Sequence, residues 1–137
     1  MRALYLIFAI VLMTSPAWSA DETEAAKALI RSQVDAVSKD DAAAAYALAS
    51  PGIQGIFPKS GAFLAMVKDR YPPIYRHRVF SFGDAREDNG QIAQEVSIID
   101  ADGVPWKGLY TVERETDGSL KISGCLLVQV QVPGQPV

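Results

Sequence analysis

The chain has 137 residues, 49% hydrophobic and 21% charged, enough for one domain with its own core and too apolar for a disordered polymer. Its formal charge is −3, so the basic footprint that general nucleic-acid binding requires is missing. A single cysteine, Cys125, excludes an intrachain disulfide and leaves either a buried small hydrophobe or a thiol that reacts or pairs between chains.

Met1-Arg2 gives the chain a short positive start, and Ala3–Met13 is an unbroken apolar run. Thr14-Ser15-Pro16 ends it, and Ala17-Trp18-Ser19-Ala20 supplies small residues for processing. This is the anatomy of a secretory signal peptide, and the run is too short to span a bilayer. The expected layout is a leader over 1–19, one domain over 20–132 and a flexible tail over 133–137. A cut after Ser19 leaves Ala17 three residues before it; a cut after Ala20 leaves bulky Trp18 there. The mature protein is then expected in the periplasm or outside the cell, with no stable membrane insertion. The competing reading, a buried first helix, fits less well because the run is apolar on every side rather than striped.

Asp21 and Glu24 have capping-box spacing, and Ala26, Leu29, Ile30, Gln33, Val34 and Val37 recur at helical steps. An amphipathic helix is expected there. Asp40 is read as the cap of a second helix over Asp41–Ala49, which Ser50-Pro51-Gly52 stops. Ile53–Phe57 reads as an apolar connector. Ser60 opens a third helix with Phe63, Met66 and Val67 on one face, and Pro72-Pro73 forbids its continuation.

The second half carries three hairpin signals, Asn89-Gly90, Asp102-Gly103 and Asp117-Gly118. They separate β-rich runs at Arg78–Glu87, Gln91–Asp100, Val104–Thr116 and Ser119–Val132. In the second run Ile92, Gln94, Val96 and Ile98 share a face; in the third, Trp106, Tyr110 and Val112 do. Gly124 marks a bulge that re-aims Cys125, Leu126 and Leu127. The fold class is therefore α+β, with three N-terminal helices packed on a curved four-stranded antiparallel meander.

Several stretches carry a family resemblance: Ala44–Pro51, Phe63 with Met66-Val67, Tyr71-Pro72, Asp102-Gly103, Tyr110, and Asp117–Cys125. On these residues the mature chain resembles a bacterial group labelled domain of unknown function 4864, within the nuclear-transport-factor-2-like (cystatin-like) α+β cones. Related sequences often place Trp where this one has Leu120, which changes packing around that strand. The resemblance implies a cone whose sheet and first helix enclose a pocket. It implies no activity, since members of that superfamily use the pocket for catalysis or for binding alone.

Candidate ligand-binding residues are Tyr71, Tyr75, Arg76, Arg78, Phe80, Phe82, Trp106 and Tyr110: aromatics for the lining, tyrosines at the rim and arginine forks for an anionic group. Lys68–Arg78 is the most basic stretch, and its alternative role is a charged edge that resists sheet-to-sheet pairing. His77, the only histidine, has no ligand spacing around it, so no metal and no cofactor are expected. Asp100–Gly103 lacks the spacing of a calcium loop. The acids Asp35, Asp84 and Glu95 have no clearly apolar face to tune them, and no catalytic residue is assigned. The leading expectation is a non-catalytic binding or scaffolding module for a small apolar or anionic ligand. The alternatives are a small cone enzyme using a carboxylate and a tyrosine, and a homodimer formed through the open sheet face.

Overall fold

Ser19 starts the fold. In the computed structural model, which describes residues 17–131, its hydroxyl accepts the Glu22 backbone N–H at 3.1 Å. The Glu22 carboxylate in turn accepts the Ser19 N–H at 3.2 Å, so both donors at this helix end are satisfied. The cap lies two residues upstream of the expected Asp21–Glu24 pair, and Asp21 and Glu22 put their charge in the first turn, where the helix dipole favours it. Helix α1 runs Ala20–Ser38 and buries Ala26, Ile30, Gln33, Val34 and Val37 along the expected stripe. Residues 1–16 of the expected leader and all of the expected tail lie outside the described residues. No described helix is long and apolar enough to cross a membrane.

Five described helices precede the sheet where three were expected: α1, α2 (Ala42–Ala47), α3 (Pro51–Ile56), α4 (Ser60–Arg70) and α5 (Pro72–Tyr75). The two extra helices both begin at proline. Ser50, read as part of a stop signal, instead accepts the Ile53 N–H on its hydroxyl at 3.3 Å, and Pro51 fills the first helical position, where an N–H is not needed. Pro72-Pro73 ends α4 as expected but opens α5 for the same reason. Asp41, not Asp40, caps α2 through the Ala44 N–H at 3.2 Å. Asp40 turns left-handed, with φ 57°, and its carboxylate accepts from Lys68 at 2.8 Å and from the Tyr75 hydroxyl at 2.9 Å.

Strands β1 (His77–Asp88), β2 (Gln91–Asp100), β3 (Pro105–Arg114) and β4 (Leu120–Gln129) form an antiparallel open sheet in chain order. The hairpins fall at the three expected turns, where Asn89, Gly90, Gly103 and Gly118 all have positive φ. The register aligns Gln94 with Tyr110 and Tyr110 with Cys125 across three strands. Three irregularities interrupt it. One leaves Gly83 and Asp84 outside the β1–β2 pairing, a second falls between His77 and Val79, and the third falls at Ser123, next to the expected Gly124. The first has its own repair: the Gln94 amide, fully buried, donates to the carbonyls of Gly83 at 2.9 Å and Glu95 at 2.8 Å.

Ile92, Gln94, Val96, Ile98, Tyr110, Val112 and Ile122 all lie on the inner face and are buried. Helix α1 packs against β2 and β4, α5 against β2, and α3 reaches β4. Segment 48–50 also grips β4: the Ser50 N–H bonds the Ile122 carbonyl at 2.8 Å and the Ile122 N–H bonds Leu48 at 2.9 Å. This closes one end of an otherwise open edge.

Candidate functional site

The apolar residues of α3 and α4 do not reach the sheet everywhere. Between them, α1 and the inner faces of β3 and β4 lies a cavity of about 530 Å³. Val34 and Val37 come from α1, Ile53, Ile56 and Phe57 from α3 and its end, and Phe63, Met66 and Val67 from α4. Tyr71, Ile74, Tyr110, Ile122 and Cys125 complete the apolar and aromatic wall, with Gln33, Arg70 and Ser123 as polar members. No carboxylate of the described residues lines it.

Local hydrogen bonds hold this wall. The Tyr46 hydroxyl donates to the Phe57 carbonyl at 2.6 Å and the Gln54 amide donates back to the Tyr46 carbonyl at 2.9 Å, which fixes α3 against α2. Gln33 spends its amide on the Ala45 carbonyl at 3.1 Å. Phe63 touches both Tyr46 and Phe57, with ring centroids 5.8 and 6.3 Å away. Ile56 remains 72% exposed and stands at the mouth. The wall is fixed; the mouth is greasy.

A second cavity of about 500 Å³ lies beyond Tyr71 and Cys125 and shares Arg70 with the first. Pro72, Pro73, Arg76, Asp100 and Trp106 help to line it. The partition between the two is polar but uncharged. The Tyr71 hydroxyl donates to the Cys125 carbonyl at 3.1 Å, and the Cys125 thiol faces the Tyr110 hydroxyl. Burial pushes the thiol up to about 12, and burial first, then the neighbouring Cys125, raises Tyr110 well above the ordinary phenol range. Tyr71 is raised by burial too, against the opposing pull of Arg70. At neutral pH these three groups stay protonated, so they offer hydrogen bonds and no nucleophile.

Of the eight expected binding residues, Tyr71 and Tyr110 line the first cavity, and Tyr71, Arg76 and Trp106 line the second. Arg76 is largely committed: it stacks 3.7 Å over the Tyr75 ring, donates to the Tyr75 hydroxyl at 2.6 Å and bonds the Ser38 carbonyl at 3.3 Å. Tyr75 ties that group to Asp40, with Lys68 on its ring at 4.7 Å. Arg78 lies near Asp100 and helps hold that carboxyl below the usual range, behind the larger effects of the Val104 N–H and the Trp106 indole. Phe80 and Phe82 line neither cavity. They sit under the Arg31 guanidinium at 5.0 and 5.3 Å, and Phe80 reaches the site only through the edge of Tyr110 at 6.2 Å. His77 bonds the Ile74 carbonyl at 2.8 Å, and no described group of three His, Cys, Asp or Glu is placed to hold a metal.

Sequence reasoning left out Cys125, Arg70, the α4 residues Phe63, Met66 and Val67, and the α3 residues. Signals existed for two of these groups: the bulge beside Gly124, next to Cys125, and the shared face of Phe63, Met66 and Val67. The α3 residues had no such signal, because a five-residue apolar connector looks the same whether it covers a core or a cavity.

Comparison with known families matches residues 19–135 to the family described as Domain of unknown function (DUF4864). The chain belongs to the DUF4864 family. The match takes in every described element and both cavities, so the site is built entirely from the DUF4864 domain. It begins at Ser19, the residue that caps α1. No curated protein and no solved structure matches the chain.

Proposed function

We propose that this DUF4864 domain is an exported, non-catalytic binding module of cone type, whose cavity between sheet and helices takes a small apolar molecule. The observation that carries the reading is the cavity of about 530 Å³, walled mainly by aliphatic and aromatic side chains and opening beside exposed Ile56. Its size is within the range of small-molecule sites, and its few polar groups are neutral apart from Arg70. Acid/base chemistry needs a carboxylate there, whereas Asp35, Asp84 and Glu95 are all exposed and outside the lining. A thermal-shift series with decanol tests the reading. Saturable stabilisation that Met66→Trp removes by filling the space supports it; no stabilisation at any concentration overturns it.

For export, we place the cut before Trp18 rather than after Ser19. Ala17 and Ser15 then stand as small residues at the first and third positions before it, while Trp18 and Ser19 stay with the domain that they brace. N-terminal sequencing of the exported protein reads this directly, with Trp18 as the expected first residue.

A second reading, self-association through the uncovered sheet face, is favoured by Leu126, Val128 and Val79, which are 68%, 65% and 50% exposed there. Light scattering over a range of concentrations separates a dimer from a monomer.

A further inference from the structure

Arg70 is the last residue of α4, it is exposed, and it borders both cavities. The other cations of this region are engaged or stand outside both cavities. Lys68 pairs with Asp40 at 2.8 Å, Arg76 is bonded to Ser38 and Tyr75, and Arg78 lines neither cavity. Arg70 has no hydrogen bond or ion pair with any described residue. It lines both cavities together with Tyr71, the residue next to it, whose hydroxyl belongs to the partition.

Two acids, Asp100 and Asp102, line the second cavity with Arg70, and neither forms an ion pair with it. The Asp100 carboxylate already accepts the N–H groups of Asp102 and Val104, at 2.9 Å each, and the Trp106 indole at 3.0 Å. The site therefore combines a greasy chamber, a mouth with an exposed isoleucine and one uncommitted guanidinium at its edge. A planar fork of this kind matches a carboxylate with two parallel hydrogen bonds.

We propose that the ligand is an anionic amphiphile, a chain-bearing carboxylate whose head pairs with Arg70 while its hydrocarbon tail fills the cavity walled by Val34, Phe63, Met66 and Ile122. This rests on the binding reading above and names its ligand class. The head stays at the rim, where water still reaches it, so no charge is buried. The neutral Tyr71 hydroxyl beside it supplies a further polar contact without repelling the anion. Acetate, with a head and no tail, has too little apolar surface to bind.

The experiment is a calorimetric comparison of decanoate, decyl phosphate, decanol and acetate on the full chain and on Arg70→Gln. Arg70→Gln changes an exposed side chain, and its unfolding midpoint verifies that it is folded. The expected result is decanoate binding about tenfold or more tighter than decanol, an advantage that Arg70→Gln removes while decanol affinity is unchanged. Decyl phosphate binding more tightly than decanoate would move the head group from carboxylate to phosphate and overturn the class named here. Equal affinities for decanoate and decanol, both indifferent to Arg70→Gln, would overturn the role of Arg70 and leave the apolar cavity standing. Failure of every chain-bearing compound to bind would remove the cavity reading and this inference together.

Discussion

Trp18 donates its indole N–H to the Gly90 carbonyl at 3.0 Å, joining the start of the described fold to the tip of the first hairpin. Arg114 lies 4.5 Å over the same ring and pairs with Glu22 at 2.7 Å, so Trp18, Glu22 and Arg114 form one clasp between α1 and the sheet. The hydrogen bond from Arg114 is the largest cause holding the Glu22 carboxyl below its ordinary range, so the clasp favours folding at neutral pH and fades as acid protonates that group.

A chain that begins at Ala20 loses the indole bond, the stacked arginine and the Ser19 cap at once. We expect it to be less stable than a chain that begins at Trp18, with the cap alone contributing about 1 kcal/mol. Urea titrations of the two chains check this, read as a lower midpoint at unchanged slope. Equal midpoints would mean that Trp18 and Ser19 add nothing to the stability of the fold.

Gln94 is an internal brace rather than a ligand contact. Gln94→Leu keeps the volume but leaves the Gly83 and Glu95 carbonyls without their buried donor, at a cost of about 2 kcal/mol. Amide exchange should rise around the β1 irregularity before it rises in β3. Uniform exchange, or no loss of stability, would show that water serves those carbonyls equally well.

Gly108 sits on the inner face of β3, where an added Cβ would come 2.6 Å from a Val96 methyl and 3.1 Å from Leu127. Gly108→Ala should destabilise by about 1–3 kcal/mol through overpacking. Val96→Ala beside it should return part of that loss, and a double-mutant cycle measures the coupling. Additive effects would place the clash elsewhere.

Cys125 gives the alkaline limb of the stability curve. Its thiol moves from an ordinary value of 9.0 to about 12 because burial disfavours the thiolate. The unfolded chain therefore loses that proton first, and stability present below pH 9.0 falls as pH rises towards about 12. Tyr110, also raised by burial, acts in the same direction. Cys125→Ser should flatten the decline above pH 9.0, and native Cys125 should alkylate slowly at neutral pH. Rapid alkylation of the folded protein would contradict the assignment.

The sheet was legible because its signals are local. Asn89-Gly90, Asp102-Gly103 and Asp117-Gly118 each demand a backbone that few other residues accept, and strict alternation then assigns Gln94 and Tyr110 to the inner face. Helix α1 was legible for the same reason, through its stripe from Ala26 to Val37. Pro72-Pro73 ends α4 as read, but the helices opening at Pro51 and Pro72 were missed, because proline both ends one helix and opens the next. Ser19 carries a double signal, being part of the small-residue stretch expected for processing and the cap of α1. The cavity was the least legible feature. Ile53, Met66 and Cys125 meet there from α3, α4 and β4, and nothing in their spacing records that the space between them is unfilled.

The most direct test is a methyl NMR titration of the full chain with decanol. The expected result is saturable shifts confined to Val34, Val37, Met66 and Ile122, with Val79 and Val128 on the opposite sheet face unmoved. Shifts on that outer face alone, or none at saturation, would contradict an apolar site between the helices and the sheet.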